Sequence, residues 1–278
     1  MNTGKTMTGT TKSLGEKDAL NRFYTKSEIA SQCISLIEGI NTYDTIIEPS
    51  AGAGSFSNLL GCIAYDIAPN AEGIIKSDWF AVDKKQFSSN SLVIGNPPYG
   101  VQCNTAIGFF NESAKFARTV AFILPLSFKK RSIQDRLNRH FWLEAEWTLP
   151  ANSFTLNGKD YDVPCVFQVW TRRIVKRKKL KQVTTTHLFQ FVKHKSEADF
   201  RIQRVGGNAG KASYNLDVSE QSNYFVKNTS TYTNDELMGI INNAVFQDIS
   251  CTVGPKSLSK TELILTLEEI VEESEDTE

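Results

Sequence analysis

Short apolar runs recur along the first 170 residues of the chain, and each one ends in polar or turn-forming residues. β-Branched residues are frequent within these runs, and stretches of helical character separate several of them. This arrangement is typical of an α/β fold whose central strands are parallel and buried on both faces. We therefore predict a doubly wound domain with a seven-stranded, mostly parallel sheet that ends near Arg173. The predicted strands span residues 45–48, 62–66, 74–78, 91–95, 119–125, 143–150 and 164–170.

Three segments match the capping box, in which a Ser or Thr and a Glu three residues later bind each other's backbone at a helix start. Residues 25–28 precede the apolar positions of a first predicted helix. Residues 233–236 and 259–262 precede helices predicted over 237–245 and 263–271.

The composition is that of an ordinary globular chain, with 278 residues, 40% hydrophobic, 22% charged, and a formal net charge of zero. No apolar stretch reaches the roughly 18–20 residues that cross a bilayer, and no signal-peptide core is present, so we expect a cytoplasmic protein without a membrane partner. The five cysteines contain no C-x-x-C pair and the three histidines lack ligand spacing. We therefore predict neither disulfides nor a bound metal.

The zero net charge conceals a basic stretch and an acidic end. Residues 172–204 hold 11 basic and 2 acidic side chains, whereas residues 262–278 hold 8 acidic side chains and no basic one. So dense a basic stretch favours phosphate binding over an ordinary solvated surface. A second basic group follows the predicted strand 119–125 and is expected on the same face as Asn96. The candidate nucleic-acid contacts are Lys129, Lys130, Arg131, Arg172, Arg173, Lys176, Arg177, Lys178 and Lys179.

These patterns divide the chain into four regions. Residues 1–20 are polar and are expected to form a flexible arm, and residues 21–173 form the α/β domain. Residues 174–261 form a small basic region. Residues 262–278 form an acidic helix or tail. This tail is either disordered or occupies a groove of the basic region when nucleic acid is absent. The C-terminal part is small for a domain that recognises a nucleic-acid sequence. We therefore expect loose specificity for the nucleic-acid sequence, a second protein subunit or a homodimer.

The segment Asn96-Pro97-Pro98-Tyr99 follows directly on the strand predicted over residues 91–95. Its two prolines lack N–H donors, so they end the strand in a stiff turn at the carboxyl edge of the sheet. Open α/β sheets place their ligands at this edge. The tetrapeptide is rare enough by chance to favour a functional turn over a stiff loop with a surface tyrosine.

A second turn joins an acidic residue to two glycines. The strand 45–48 ends at Glu48, and Gly52 and Gly54 then open a helix. Glycines here let a ligand approach the backbone closely, although a plain strand-to-helix turn has the same pattern. The third glycine of a dinucleotide-binding turn and the Gly-Lys-Ser/Thr of a phosphate loop are both missing, and a carboxylate suits a cationic amine better than a pyrophosphate.

The order E-P-x-x-G-x-G and then N-P-P-Y resembles the gamma-type N6-adenine DNA methyltransferases, over roughly Arg22 to Trp170. The resemblance implies a Rossmann-like class I methyltransferase fold, S-adenosylmethionine as the cofactor and DNA as the partner. It also implies methyl transfer to the N6 amine of an adenine flipped out of the helix. Such compact enzymes are expected in phages or restriction-modification systems.

The resemblance assigns cofactor contacts to matching positions. Residues 22–25 match the segment that touches the methionine carboxylate, and Glu48 belongs to the methionine-binding loop. Asp66 matches the residue that grips the ribose hydroxyls. Only eleven residues separate Gly54 from Asp66, so the helix between them must be short.

Asp78 matches the residue that accepts from the cofactor's adenine amine, with Trp79 or Phe80 beside the ring. The implied cofactor contacts are Tyr24, Thr25, Glu48, Gly52, Gly54, Phe56, Asp66, Asp78, Trp79 and Asn96.

The implied chemistry needs acceptors beside an amine whose lone pair is delocalised into the adenine ring. The Asn96 side-chain oxygen and the Pro97 carbonyl each accept one N6–H, which localises the lone pair for in-line attack on the sulfonium methyl. Tyr99 offers a flat face to the flipped base, and Phe154 is expected to pack on the base too. The alternative for Phe154 is a hydrophobic plug under the loop 157–160. The predicted catalytic residues are Asn96, Pro97, Tyr99 and Phe154.

Three other functions are compatible with the sequence. An RNA N6-adenine methyltransferase needs the same site. A protein glutamine methyltransferase also uses Asn-Pro-Pro-Tyr, but those enzymes carry a recognition domain before the first strand, and here the additional mass is C-terminal and basic. A non-catalytic nucleic-acid-binding subunit of a methyltransferase complex would be expected to have a damaged motif.

Overall fold

The computed structural model describes residues 23–179, 181–252 and 254–275. The predicted arm over residues 1–20, Arg22 and the last residues of the acidic end lie outside this range. The chain divides into two compact units. Of the described residues, the first unit contains those up to Phe128 and Ile133–Lys178, and the second contains Lys129–Ser132 and those from Lys179 onward. The first unit therefore ends five residues beyond the predicted boundary, and the basic group at Lys129 clusters with the second unit.

Fourteen α-helices and β-strands precede the end of the first unit in the described chain. In chain order they are β1 (Tyr24–Thr25), α1 (Ser27–Ser35), β2 (Thr45–Glu48), α2 (Ser57–Leu60), β3 (Ile63–Asp66), β4 (Ile75–Lys76), β5 (Ser91–Gly95), α3 (Asn104–Ser113), β6 (Thr119–Pro125), α4 (Arg131–Gln134), β7 (Phe141–Thr148), β8 (Phe154–Leu156), β9 (Lys159–Tyr161) and β10 (Cys165–Arg172).

Seven of these strands form one sheet in the order β4-β3-β2-β5-β6-β10-β7. Strands β2 to β6 pair in parallel, whereas β10 is antiparallel to both of its neighbours, β6 and β7. All seven predicted strands are present, within a few residues of their expected bounds. The seven-stranded, mostly parallel sheet is confirmed. A separate three-stranded sheet has the order β1-β8-β9.

The interiors of the central strands are apolar because the sheet is covered on both faces. In β5, Leu92 and Ile94 face one core cluster, which includes α1, while Val93 faces the other, which includes α3. All three side chains are completely buried. The polar residues that follow each strand are thereby left at the edges of the sheet.

The first helix begins without the predicted capping box. Helix α1 starts at Ser27, its N-cap is Lys26, and no side chain caps it. Thr25 belongs instead to β1, where it pairs with Phe154 of β8. Helix α2 has four residues, as short as the spacing between Gly54 and Asp66 requires.

The described part of the second unit contains a four-stranded antiparallel sheet and two α-helices. Its elements are β11 (Phe189–Val192), β12 (Phe200–Gln203), β13 (Ala212–Ser213), β14 (Asn223–Asn228), α5 (Asn234–Asn243) and α6 (Lys260–Glu275), with the sheet order β11-β14-β12-β13. The capping box of α5 is confirmed, with Thr233 and Glu236 binding each other's backbone N–H.

The acidic end of the chain is largely the helix α6. Its apolar residues Leu263, Leu267 and Val271 are at most 3% exposed and pack into the core of the second unit. The helix is therefore structural, and its glutamates lie around a buried apolar stripe. Within the described ranges, no helix is both long and apolar enough to cross a membrane.

Candidate active site

A cavity of about 330 Å³ lies at the carboxyl edge of the central sheet, where open α/β sheets bind ligands. Its walls come from β1, from the turns after β2, β3 and β5, and from the segment after β4. The volume lies within the usual range for small-molecule sites. Ten of the predicted site residues line it, namely Tyr24, Thr25, Glu48, Gly52, Asp66, Asp78, Trp79, Asn96, Pro97 and Tyr99.

The carboxyl group of Glu48 is buried at the base of this cavity. The Glu48 side chain is 2% exposed, and its Oε2 accepts a hydrogen bond from the Ser57 N–H at 2.7 Å. Burial raises the pKa of Glu48 to about 7, and the nearby charge of Asp66 also raises it. A cationic ligand would favour the ionised form of this group.

The turn after β2 fixes the carboxylate of Asp66. Gly52 has the left-handed φ of +55°, and its N–H donates to Asp66 Oδ2 at 2.7 Å. The Ala68 N–H donates to Asp66 Oδ1, also at 2.7 Å. A carboxylate oxygen has more than one acceptor position, so both oxygens retain capacity for vicinal hydroxyls.

Two predicted cofactor contacts do not reach the cavity. Gly54, at a φ of +81°, supports the turn, and a Cβ there would lie 2.9 Å from Asn58 Oδ1. Phe56 is completely buried in the core beside α1. Both residues shape the turn that presents Gly52, but neither belongs to the cavity wall.

An aromatic wall lies beyond Asp78. Asp78 Oδ1 accepts from the Phe80 N–H at 3.0 Å. Trp79 is only 2% exposed, whereas Phe80 is 47% exposed, so Phe80 offers more surface to a planar ligand. Phe109 of α3 packs edge-on against Phe80, with ring centroids 5.1 Å apart, and also lines the cavity. No sequence signal marks Phe109, because an apolar position on a helix is typical of a core residue.

The turn after β5 holds the Asn96 amide in one orientation. Asn96 Nδ2 donates to the Phe23 carbonyl and to Thr25 Oγ1, each at 3.3 Å. Asn96 Oδ1 accepts from the Tyr99 hydroxyl at 3.0 Å. Ser50 Oγ donates to the Asn96 carbonyl at 3.2 Å. The hydroxyl of Thr25 thus serves Asn96 rather than capping α1.

Phe154 does not face the cavity. Its side chain has no exposed surface and packs in the core beside α1, while β8 pairs with β1 on one side and β9 on the other. A ring without exposed surface cannot stack on a base. The prediction of direct contact is corrected, and the buried-plug alternative describes the residue. Phe23 is the aromatic that lines the cavity near Tyr99, with ring centroids 6.5 Å apart.

No protein-family model and no curated protein matches the chain. A candidate RNA methyltransferase from Pyrococcus horikoshii is 16% identical, with a TM-score of 0.44 over 58% of this chain and 96% of that one. The 23S rRNA methyltransferase ErmE is also 16% identical, with a TM-score of 0.41 over 55% of this chain and 71% of its own. The fold is assigned by the strand order with its one reversed strand rather than by these distant likenesses. The chain has the class I methyltransferase fold.

In this methyltransferase fold the reversed strand β10 places the basic stretch away from the cavity. Thr171 of β10 pairs with Thr119, where β6 begins, so Arg172 lies at the opposite edge of the sheet from Asn96. Arg172 Nε donates to the Ala117 carbonyl at 3.0 Å, and Arg173 forms an ion pair with Glu144 at 2.7 Å. These two arginines therefore stabilise the amino edge of the sheet.

Arg177, like Arg172 and Arg173, does not have the position predicted for a phosphate contact. The residue is 5% exposed and donates to the carbonyls of Phe141 and Gln134 at 2.5 and 2.9 Å. Its guanidinium also lies 3.9 Å from the Asp135 carboxylate and over the Trp170 ring. Such a guanidinium is not available to a nucleic acid, whereas the neighbouring Lys176 and Lys178 are exposed.

The basic group after β6 is partly used within the second unit. Lys130 Nζ donates to the carbonyl and the hydroxyl of Ser257 at 3.1 and 3.0 Å. Lys129 and Arg131 flank it and also have partners. In the chain these residues follow Pro125, which ends β6 at the edge that bears Asn96.

Proposed function

We propose that this protein is an S-adenosylmethionine-dependent methyltransferase that methylates the N6 amine of adenine in DNA after base flipping. The observation that carries the proposal is a single cavity. It is lined both by three carboxylate residues suited to the cofactor and by the Asn-Pro-Pro-Tyr turn suited to a planar amine. The fold and the edge of the sheet at which the cavity lies support the same interpretation.

The cavity residues fit the proposed cofactor. Glu48 provides a buried carboxyl group for a cation, and Asp66 is fixed by two backbone N–H groups with acceptor capacity left for two hydroxyls. Asp78 and Phe80 provide an acceptor and a ring face for an adenine. When bound, S-adenosylmethionine would supply an electrophilic methyl group on sulfur.

Asn96 and Pro97 would prepare the acceptor nitrogen. With Nδ2 held by Phe23 and Thr25, the Asn96 oxygen is the end of the amide that faces a substrate N–H. Acceptors fixed in advance stabilise the positive charge that develops on the amine without reorganising during the reaction. Tyr99, and Phe23 in place of Phe154, offer the aromatic faces for a flipped base.

The test is transfer of a labelled methyl group to duplex DNA, single-stranded DNA, RNA and protein in parallel, followed by identification of the methylated product. We expect N6-methyladenine in DNA. Asn96→Ala is expected to lower kcat roughly 100-fold to 1,000-fold while cofactor binding, measured by calorimetry, persists. Asn243→Ala, an exposed position at the end of α5, is the matched control and should behave as wild type.

Each other product identifies a different function. Methyladenine in RNA alone would correct the substrate, and methylated glutamine would assign the protein-modifying alternative. Absence of transfer to every acceptor, with Asn96→Ala indistinguishable from wild type, would refute the enzyme and favour a non-catalytic subunit.

A further inference from the structure

A buried cysteine lies behind the catalytic turn. Cys165, the first residue of β10, has no exposed surface and is not part of the cavity wall. Its Sγ lies 3.1 Å from the Tyr99 hydroxyl, which lies 3.0 Å from Asn96 Oδ1. Cys165 therefore does not line the cavity, but two hydrogen bonds connect it to the Asn96 amide by way of the Tyr99 hydroxyl.

The chemistry of the thiol and the phenol indicates which of them donates the hydrogen bond in this contact. Burial raises the pKa of Cys165 to about 12 and raises the pKa of Tyr99 well above its ordinary value, so both groups keep their protons at neutral pH. A phenol has one proton and lies here between two acceptors, an amide oxygen and a sulfur. Sulfur is the weaker acceptor, and a thiol is itself a donor.

We propose that Cys165 is a positioning residue for methyl transfer. By donating its S–H to the Tyr99 oxygen, it directs the Tyr99 proton to Asn96 Oδ1 and keeps that oxygen aimed into the cavity. The opposite end of the amide is already held by the Phe23 carbonyl and Thr25 Oγ1, so a flipped amide would place the Asn96 oxygen against the Phe23 carbonyl, which can only accept. The inference rests on the proposed function of Asn96.

The chain offers a matched control for this role. Cys33 of α1 is also completely buried and lies in the same core cluster, but within the described chain its thiol forms no hydrogen bond to a residue of the cavity wall. We expect Cys165→Ala to lower kcat about fivefold to tenfold, the effect of one neutral hydrogen bond, with the Kd for S-adenosylmethionine unchanged. Cys33→Ala should leave kcat unchanged, and Cys165→Ser should restore most of the lost kcat.

A double-mutant cycle with Tyr99→Phe separates positioning from packing. If Cys165 acts through the Tyr99 hydroxyl, adding Cys165→Ala to Tyr99→Phe causes no further loss of kcat. Independent, multiplicative losses would overturn the proposal. So would equal kcat values for Cys165→Ala and Cys33→Ala, or a serine variant as impaired as the alanine variant.

Infrared spectroscopy tests the contact without relying on turnover. The S–H stretching band of Cys165, assigned from the difference between wild type and Cys165→Ala, should shift in Tyr99→Phe. An unshifted band overturns the inference whatever the activity. The proposed function is judged separately by the identity of the methylated product, whereas the inference is judged by ratios between variants on any accepted substrate and by this band.

Discussion

At the residue scale, the buried carboxyl group of Glu48 makes the stability of the first unit depend on pH. Burial raises its pKa to about 7, from an ordinary value of 4.5, so the folded state binds this proton more tightly than the unfolded chain. The stability contributed by the bound proton is present below about pH 4.5 and is lost as the pH rises through 7. We expect Glu48→Gln to melt roughly 5–10 °C above wild type at pH 8, and close to it at pH 5.

The measurement is thermal unfolding of the ligand-free protein at both pH values. Glu28→Gln on the exposed face of α1 is the control, because an exposed glutamate should leave the pH dependence unchanged. Parallel loss of melting temperature in wild type and Glu48→Gln would contradict the buried-carboxyl explanation.

Two phenylalanines at the same scale have opposite expected effects. Phe154 is completely buried, so Phe154→Ala should destabilise the first unit by about 3–5 kcal/mol through the cavity it leaves. Phe80 is 47% exposed and lines the candidate cofactor cavity, so Phe80→Ala should weaken S-adenosylmethionine binding about threefold to tenfold with little effect on stability. Denaturant unfolding measures the stability, and calorimetry measures cofactor binding. A loss of binding in Phe154→Ala and a loss of stability in Phe80→Ala would indicate that Phe154 belongs to the site.

At the element scale, α6 is an acidic helix whose apolar residues form part of the core of the second unit. Leu267 is completely buried, whereas Leu265 on the same helix is 38% exposed. We expect Leu267→Ala to lower the free energy of unfolding of the second unit by about 2–5 kcal/mol, and Leu265→Ala to change it by less than about 1 kcal/mol. Chemical denaturation measures both variants.

Equal effects of the two α6 substitutions would show that the helix is not packed through this stripe. A truncation before Val271 would remove part of the same apolar stripe. Any change in nucleic-acid binding after such a truncation would therefore combine lost negative charge with lost packing.

The elements and the cavity follow from the sequence because their signals are local. Continuous apolar runs such as residues 119–125 specify buried strands, and the residues directly after each run fall at the sheet edge. The position of Phe154 depends instead on the pairing of β8 with β1, two segments far apart in the chain. Nothing in the local sequence distinguishes an aromatic that faces a base from one that faces the core.

At the scale of the whole molecule, the charge density of a segment predicts where it could contact a phosphate only when the direction of the preceding strand is known. The stretch after β10 is the most basic in the sequence, and a count of charges assigns it to phosphate binding. Because β10 is antiparallel, that stretch starts at the edge opposite the cavity, and its most buried member, Arg177, is committed to backbone carbonyls. A reversal of one strand thus moves the expected contact to the other edge of the sheet.

If DNA is the substrate as proposed, the chain positions of two lysines of equal charge predict different effects on its binding. Lys129 lies four residues beyond Pro125, which ends β6 at the cavity edge, whereas exposed Lys176 follows β10 at the opposite edge. We expect Lys129→Glu to weaken binding and to reduce the slope of log K against log salt concentration by about one, as for a lost phosphate contact. Lys176→Glu carries the same charge change and should alter neither. Binding is measured by fluorescence anisotropy across a salt series, and equal slopes for the two variants would mean that DNA is attracted by total charge alone.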